Sequence, residues 1–244
     1  MRPVRILVAV VSLLALPLAS VAHGQDSAAP APQAGGADRA VTWGAGATLT
    51  SAFVWRGFVL ENSPCVQPSV SVSFAHFTAS SWVNLITHGA SQVWSEHDLG
   101  ISYARDVDDW EFSAGYTQYY FPTVHDAHMS HEFYVGAAYS GPLNPFVKVF
   151  HDVKVGDGTY VSTGVSQELP LGKSKWSVTP AVTLGYNNHQ WVAGSGWSDL
   201  NLGVAVSLPP GNHVDVTGSI NYSKSLRSEW FPSRAYVSLT VAVH

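Results

Sequence analysis

Three histidines in one short segment form the group of side chains best suited to bind a metal. His125, His128 and His131, with Asp126 beside them, supply imidazoles and a carboxylate, which zinc, copper and nickel accept as ligands. The spacing is weakly specific, because a chain with eleven histidines easily gathers three in one loop by chance. We therefore expect a solvated loop with no metal or cofactor, and we keep the three histidines as the alternative.

Nucleophilic chemistry has a weaker basis in the sequence. A serine hydrolase needs a serine beside a histidine that an acid or amide orients, and a serine-rich chain offers many such pairs on paper. No G-x-S-x-G nucleophile elbow is present. The single cysteine, Cys65, has no partner for an internal disulfide, and we expect it in a loop without a chemical role. We predict a protein that is not an enzyme and keep a hydrolase as a minor alternative.

β-Strands must position these residues, because apolar and small polar side chains alternate one for one along most of residues 41–244. The last stretch shows one apolar face, made of Ala235, Val237, Leu239, Val241 and Val243. The first stretch also predicts one apolar face, made of Val41, Trp43, Ala45, Ala47, Leu49, Phe53 and Trp55. About a dozen such stretches follow one another, which predicts an all-β fold.

Composition separates a membrane barrel from a soluble sandwich, since both folds alternate. Charged residues make up 12% of the chain, whereas a soluble domain carries roughly 25%. The polar faces are Ser, Thr, Gly and Asn, without the charges that protect water-facing sheets from aggregation. We predict an antiparallel up-and-down transmembrane β-barrel of about twelve strands and keep the β-sandwich as the alternative.

The N-terminal segment has the layout of a secretory signal. Arg2 and Arg5 precede an apolar run at 6–18, which ends in small residues that predict cleavage after Ala22. A retained membrane anchor is the alternative. We expect a signal peptide at 1–22, a disordered Ala/Pro/Gly-rich tether at 23–40 and one barrel domain at 41–244. Removal of 1–22 leaves ten Lys and Arg against seventeen Asp and Glu, a net charge of −7 that argues against a nucleic-acid partner.

Connection lengths predict how the barrel is oriented. Short turns near 75–78, 105–110, 140–145, 168–175 and 207–213 alternate with longer loops near 57–65, 88–96, 121–131, 152–159, 187–197 and 223–234. Outer-membrane barrels have short periplasmic turns and longer extracellular loops, so we expect both termini in the periplasm. Two aromatic bands are expected at the lipid interfaces. Trp43, Trp110, Trp176, Tyr103 and Tyr139 form the band near the turns, and Trp55, Tyr116, Tyr120, Tyr186 and Tyr222 form the band near the loops.

The inward phase of the strands contains few charges. We predict as pore-lining residues Arg56, Asp98, Glu132, Lys148 and Asp152. Opposed charges near one mouth form either a selective constriction or a structural ion-pair network, and the sequence leaves both open. Small inward side chains favour a water-filled lumen. We expect a porin-like channel that sits in outer-membrane lipid and passes small hydrophilic solutes by diffusion. The alternative is a non-conducting structural or adhesive barrel whose lumen is blocked by loops or by the tether.

A family resemblance rests on these strands. The stretch from Leu49 to Phe58, with Arg56-Gly57 near its end, is followed by Gln67-Pro68-Ser69-Val70 and resembles the opening strand pair of the TorF-like porin family. The layout continues through Trp82, Glu96-His97-Asp98-Leu99, Gly115-Tyr116, Tyr120-Phe121-Pro122, Glu132-Phe133-Tyr134-Val135-Gly136 and Asp152. The resemblance implies an outer-membrane pore of poorly defined substrate, with Arg56 and Asp98 as matched motif residues. The chain departs from outer-membrane barrels in ending on Val243-His244 instead of an aromatic residue.

Overall fold

The computed structural model describes residues 40–88, 91–208 and 213–244. The predicted signal peptide, the tether up to residue 39 and the Pro209-Pro210-Gly211 turn lie outside the described residues. The described strands are β1 (Val41–Thr50), β2 (Phe53–Trp55), β3 (Phe58–Glu61), β4 (Cys65–Phe74), β5 (Phe77–His88), β6 (Ser91–Val107), β7 (Trp110–Tyr120), β8 (Met129–Tyr139), β9 (Phe146–Asp152), β10 (Gly158–Ser166), β11 (Leu169–Pro170), β12 (Ser177–Asn188), β13 (Ser195–Leu208), β14 (Val214–Ser225) and β15 (Arg234–Val243).

Twelve of these strands close into one antiparallel barrel. β4 to β10 pair in chain order, β10 pairs with β12, β12 to β15 continue, and β1 pairs with both β15 and β4. This arrangement confirms the predicted up-and-down barrel. The described residues contain no helix long and apolar enough to cross a membrane. We call the end with the start of β1 and the finish of β15 the terminal end, and the opposite end the loop end.

The alternation divides each strand between an outer apolar face and an inner polar face. Val70, Val72, Val135 and Ile220 lie on the outer face with at least half of their surface exposed, a pattern typical of a lipid-facing wall. Inner positions carry small polar groups that bond across the ladder: the hydroxyls of Thr48 and Thr240 lie 2.9 Å apart. Exposed tryptophans mark both ends, with Trp43, Trp110 and Trp176 at the terminal end and Trp94 and Trp197 at the loop end.

Three expectations from the sequence are wrong in detail. Cys65 is the first residue of β4 and is completely buried, not a loop residue. The loop predicted at 88–96 is largely strand, because β5 runs to His88 and β6 begins at Ser91. Phe53 and Trp55 do not lie on the outer face, and Trp55 belongs to no outer aromatic band, since they are only 2% and 6% exposed. The last error has a structural cause: β1 ends at Thr50, and the chain then turns into the barrel.

Candidate functional site

The segment 51–61, which we call the inner hairpin, folds into the lumen at the loop end. β2 and β3 pair within it, with Trp55 opposite Phe58 and a two-residue turn between them. Arg56 and Gly57 have φ of 49° and 84°, the double positive φ of a type I′ turn. Only glycine fits the second position well, because a Cβ on Gly57 would lie 2.5 Å from a ring carbon of Phe231.

The start of the inner hairpin is attached to the barrel wall by two hydrogen bonds to Val237. Ser51 N–H donates to the Val237 carbonyl at 3.0 Å, and Val237 N–H donates to Ser51 Oγ at 3.0 Å. The Thr50 hydroxyl donates to the Ala52 carbonyl at 2.7 Å, which bends the chain inward directly after β1. The ladder between β1 and β15 thus ends where the hairpin leaves the wall.

Aromatic packing places the hairpin against the wall of the lumen. Phe53 and Trp55 join Cys65, Trp82 and Tyr119 in one buried cluster. The Trp55 and Tyr119 ring centroids are 5.9 Å apart, edge to face, and those of Phe53 and Trp82 are 5.5 Å apart. Burial of side chains this large stabilises the packing of the hairpin against the wall.

The tip of the hairpin carries a buried ion pair. Arg56 Nη1 and Nη2 donate to Glu132 Oε2 and Oε1 at 2.6 and 2.8 Å, a bidentate geometry, and both side chains are 2% exposed. Glu132 Oε1 also accepts from the Tyr119 hydroxyl at 2.9 Å. Gln190 bridges the pair: its Oε1 accepts from Arg56 at 2.9 Å, and its Nε2 donates to Glu132 at 2.6 Å.

Aromatic rings also surround the guanidinium. Its Cζ lies 3.8 Å from the Phe150 ring centroid, 4.4 Å from that of Trp55 and 5.1 Å from that of Tyr160. Rings at these distances attract a cation through their negative faces, most strongly where water is excluded. The Arg56 charge is therefore held by a carboxylate, an amide and three π faces.

Two further acids on the wall have structural partners. Asp152 accepts from Ser130 Oγ at 2.6 Å and from the backbone N–H groups of Lys154 and Gly156 at 2.9 and 3.1 Å, so it shapes the connection that follows β9. Asp199 accepts from Ser198 Oγ at 2.6 Å, from Asn201 at 2.7 Å and from the Tyr160 hydroxyl at 3.1 Å. Tyr160 thereby connects the aromatic surroundings of the Arg56 guanidinium to Asp199 on the polar wall.

The inner hairpin contacts the wall around most of the ring. Its residues pack against, bond to or face Cys65, Trp82, Tyr119, Glu132, Phe150, Tyr160, Asp199 and Tyr236, which lie on eight different strands.

Each of the twelve barrel strands supplies an inward side chain that is at most 6% exposed: Thr50, Gln67, Asn84, Asp98, Tyr119, Glu132, Asp152, Tyr160, Asn187, Asp199, Ser223 and Tyr236. We call these twelve the belt. At the belt the lumen is occupied by protein in this conformation.

The five residues predicted to line a pore are distributed over the lumen. Arg56 and Glu132 bond directly, and Asp98 and Asp152 are buried members of the same belt. Lys148 lies nearer the terminal end, partly exposed, with its Nζ 5.5 Å from the Tyr134 ring centroid. Whether these residues line a conducting path stays a prediction.

Sequence reasoning missed the neutral members of the site. Phe150 shares the inward phase of Lys148 and Asp152, and strict alternation along β9 identifies it. Tyr160 follows from the same rule on β10. Gln190 lies in a connection between strands, where no periodicity indicates that its side chain points inward.

The structure does not bring the three candidate histidines together. His131 lies in β8 with its Nδ1 2.6 Å from the Tyr116 hydroxyl, while the His128 ring packs against Tyr120 with centroids 6.3 Å apart. His125 lies in the connection before β8. Across residues 40–88, 91–208 and 213–244, no group of three His, Cys, Asp or Glu side chains is placed to hold a metal ion.

Comparison with known proteins identifies a family and a fold. The model of a bacterial family described as of unknown function, Gcw_chp, matches residues 34–222. No curated protein matches the sequence. Among solved structures, the NanC porin superposes with a TM-score of 0.56 at 11% identity, covering 83% of this chain and all of that one. The KdgM porin gives 0.54 at 11%, covering 82% and 98%, and its complex with disordered oligogalacturonate gives 0.53 at 10%, covering 84% and 99%. At these identities the likeness shows the fold.

Proposed function

The chain belongs to the Gcw_chp family, and we propose that it is an outer-membrane channel for the passive diffusion of small hydrophilic solutes. The observation that carries the proposal is a closed twelve-stranded barrel with an apolar outer wall and a polar inner wall, because a fold of this kind places a hydrophilic path across lipid. The NanC and KdgM porins superpose on the same fold.

The proposal includes a gate. In this conformation the inner hairpin fills the lumen at the belt, so conduction requires the hairpin to move toward the loop end. The hairpin is a short two-stranded element on the barrel wall, bonded to the wall at Ser51 and held at its tip by the contact of Arg56 with Glu132. Such local elements open at a lower free energy than the strand ladders that hold them.

The orientation of the barrel in the outer membrane and the N-terminal signal peptide are part of the same proposal. The two-residue turns after β4 and β6 lie at the terminal end, and the long connections after β1, β7 and β14 lie at the loop end, although the connections after β5 and β10 depart from this pattern. The pattern supports a barrel whose termini face the periplasm. We propose that residues 1–22 are a signal peptide and that 23–40 link it to the barrel. Protein sequencing of the N-terminus of the mature, membrane-extracted protein tests the cleavage site.

A second candidate is a non-conducting barrel, and the buried belt favours it specifically. Single-channel recording in planar bilayers separates the two, using the wild type and a Glu132→Gln variant that weakens the hold on the hairpin. Discrete conductance steps that are rare in the wild type and frequent in the variant support a gated channel. The absence of conductance steps in both proteins, with heat-modifiable gel mobility showing intact barrels, supports the non-conducting barrel. Phospholipid hydrolysis measured on the same samples tests the hydrolase alternative.

A further inference from the structure

Most of the cage around the Arg56 guanidinium belongs to the barrel and not to the hairpin. Glu132 lies on β8, Phe150 on β9, Tyr160 on β10, and Gln190 in the connection after β12. The hairpin itself contributes Trp55 and the guanidinium. When the hairpin leaves, the wall retains a carboxylate, an amide and two aromatic faces arranged around the space of one planar cation.

We propose that this wall cage is a binding site for soluble guanidinium-type organic cations, and that Arg56 occupies it as a tethered ligand in the closed state. The inference rests on the proposed channel, because a solute reaches the cage through the lumen after the hairpin moves. It names the solute class of that channel as small organic cations that end in a guanidinium group.

The geometry selects a planar cation with a fork of N–H donors. Both oxygens of Glu132 accept from the two terminal nitrogens of Arg56 at 2.6 and 2.8 Å, a pairing that a single ammonium or a sodium ion cannot reproduce. The Phe150 centroid is 3.8 Å from Cζ, a distance at which a flat, weakly hydrated cation contacts a ring face.

The cage is held in shape by the wall. The Gln190 backbone N–H donates to Asn187 Oδ1 at 2.9 Å, and Asn187 Nδ2 donates to the Gln190 carbonyl at 3.0 Å. The Tyr119 hydroxyl orients Glu132, and the Tyr160 hydroxyl bonds to Asp199. These bonds do not involve the hairpin, so the cage stays preorganised when the hairpin is displaced, which lowers the entropic cost of binding a free cation.

Competition with Arg56 couples solute binding to opening. A free guanidinium and the Arg56 guanidinium require the same Glu132 oxygens, so the solute binds only the state in which the hairpin tip has left. A ligand that binds one state of an equilibrium shifts the population toward that state. The expected result is a channel that its own solute helps to open.

Isothermal titration of the full-length Arg56→Ala barrel with n-propylguanidinium chloride at constant ionic strength tests the cage. Removal of the tethered ligand leaves the cage vacant, and we expect half-saturation at about 1–10 mM, a range suited to a small fragment. Urea, the planar neutral analogue, and sodium chloride should give no saturable heat. Wild type should bind at least tenfold more weakly, because Arg56 competes.

Two further variants keep the test decisive. Arg56→Ala combined with Glu132→Gln should lose the saturable heat, whereas Arg56→Ala combined with Glu111→Gln should retain it, because Glu111 lies at the start of β7 near the terminal end. The proposed binding site would be wrong if both double variants bound n-propylguanidinium equally, or if urea bound as well as n-propylguanidinium. It would also be wrong if an Arg56→Ala barrel with unchanged heat-modifiable mobility gave no saturable heat. Binding without any conductance would support the binding site and refute the channel. Conductance without binding would support the channel and refute the binding site.

Discussion

Glu132→Gln should release the inner hairpin, and the buried thiol of Cys65 should report the release. Glu132 accepts two bonds from Arg56, one from Tyr119 and one from Gln190. The amide keeps the shape of the side chain but removes the charge and one acceptor oxygen, so the buried guanidinium loses the carboxylate that accepts from both of its terminal nitrogens. The hairpin relieves this penalty by carrying Arg56 out of the belt.

The size of the effect follows from the burial of the pair. Breaking a buried ion pair by removing one partner costs about 3–5 kcal/mol, and a substitution that preserves shape lies toward the lower end of that range. Since about 1.4 kcal/mol corresponds to a factor of ten in an equilibrium constant, the displaced hairpin should be about 10²- to 10³-fold more populated in the variant.

The chain contains its own probe for this equilibrium. Cys65 is the single cysteine of the sequence, is completely buried, and packs in the same cluster as Phe53 and Trp55 of the hairpin. A maleimide reaches the thiol only after the hairpin moves. When opening and closing are fast, the labelling rate is proportional to the open population, so the rate should rise by the same factor.

Matched measurements decide whether the reasoning holds. The unfolded protein in denaturant supplies the intrinsic rate of the thiol, and Glu111→Gln controls for neutralising an inward acid elsewhere in the lumen. Labelling of Glu132→Gln within twofold of wild type, on a barrel of unchanged heat-modifiable mobility, would refute the claim that the Arg56 to Glu132 contact holds the hairpin.

Three other substitutions test separate parts of the structure. Gly57→Ala places a Cβ 2.5 Å from a Phe231 ring carbon at a φ of 84°, so about 1–3 kcal/mol of strain should speed thiol labelling at least fivefold; an unchanged rate would show that the turn packs elsewhere. Asp152→Ala removes the acceptor of two backbone N–H groups and one hydroxyl. The free energy that holds the connection after β9 in place should fall by about 1–3 kcal/mol, so trypsin should cut faster after Lys154. Equal cleavage of wild type and variant would contradict the assigned role of Asp152. Lys148→Gln removes a cation from the terminal half of the lumen, so the reversal potential of open channels in a KCl gradient should shift toward K⁺ selectivity, and an unmoved potential would place Lys148 outside the conducting path.

The strands were predictable because the backbone alternates sides whatever its surroundings. Val237 and Leu239 face outward and Tyr236 faces inward, as the period of two requires. Low charge content then distinguished a lipid-facing wall from a water-facing one, and the number of stretches led to the closed ring. These inferences depend on local chemistry that repeats along the chain.

The inner hairpin was not predictable from the same rule. Alternation across residues 49–55 reads as one continuous strand, so Phe53 and Trp55 were predicted to face outward. In the structure the chain turns at Ser51, and both rings fill the lumen. The sequence contained one local signal, Arg56-Gly57, which suits a tight turn, but a turn does not specify on which side of the wall it lies.

Strand periodicity and composition are local properties, so the amino-acid sequence was enough to predict the barrel and its two faces. The meeting of Arg56, Glu132 and Gln190 in one cage follows from the fold alone, because 76 and 58 residues separate them along the chain. Ring closure brings distant strands around a common axis, and the space at that axis selects the segment that fills it. Contacts across a lumen depend on this global geometry, which no local pattern in the chain encodes.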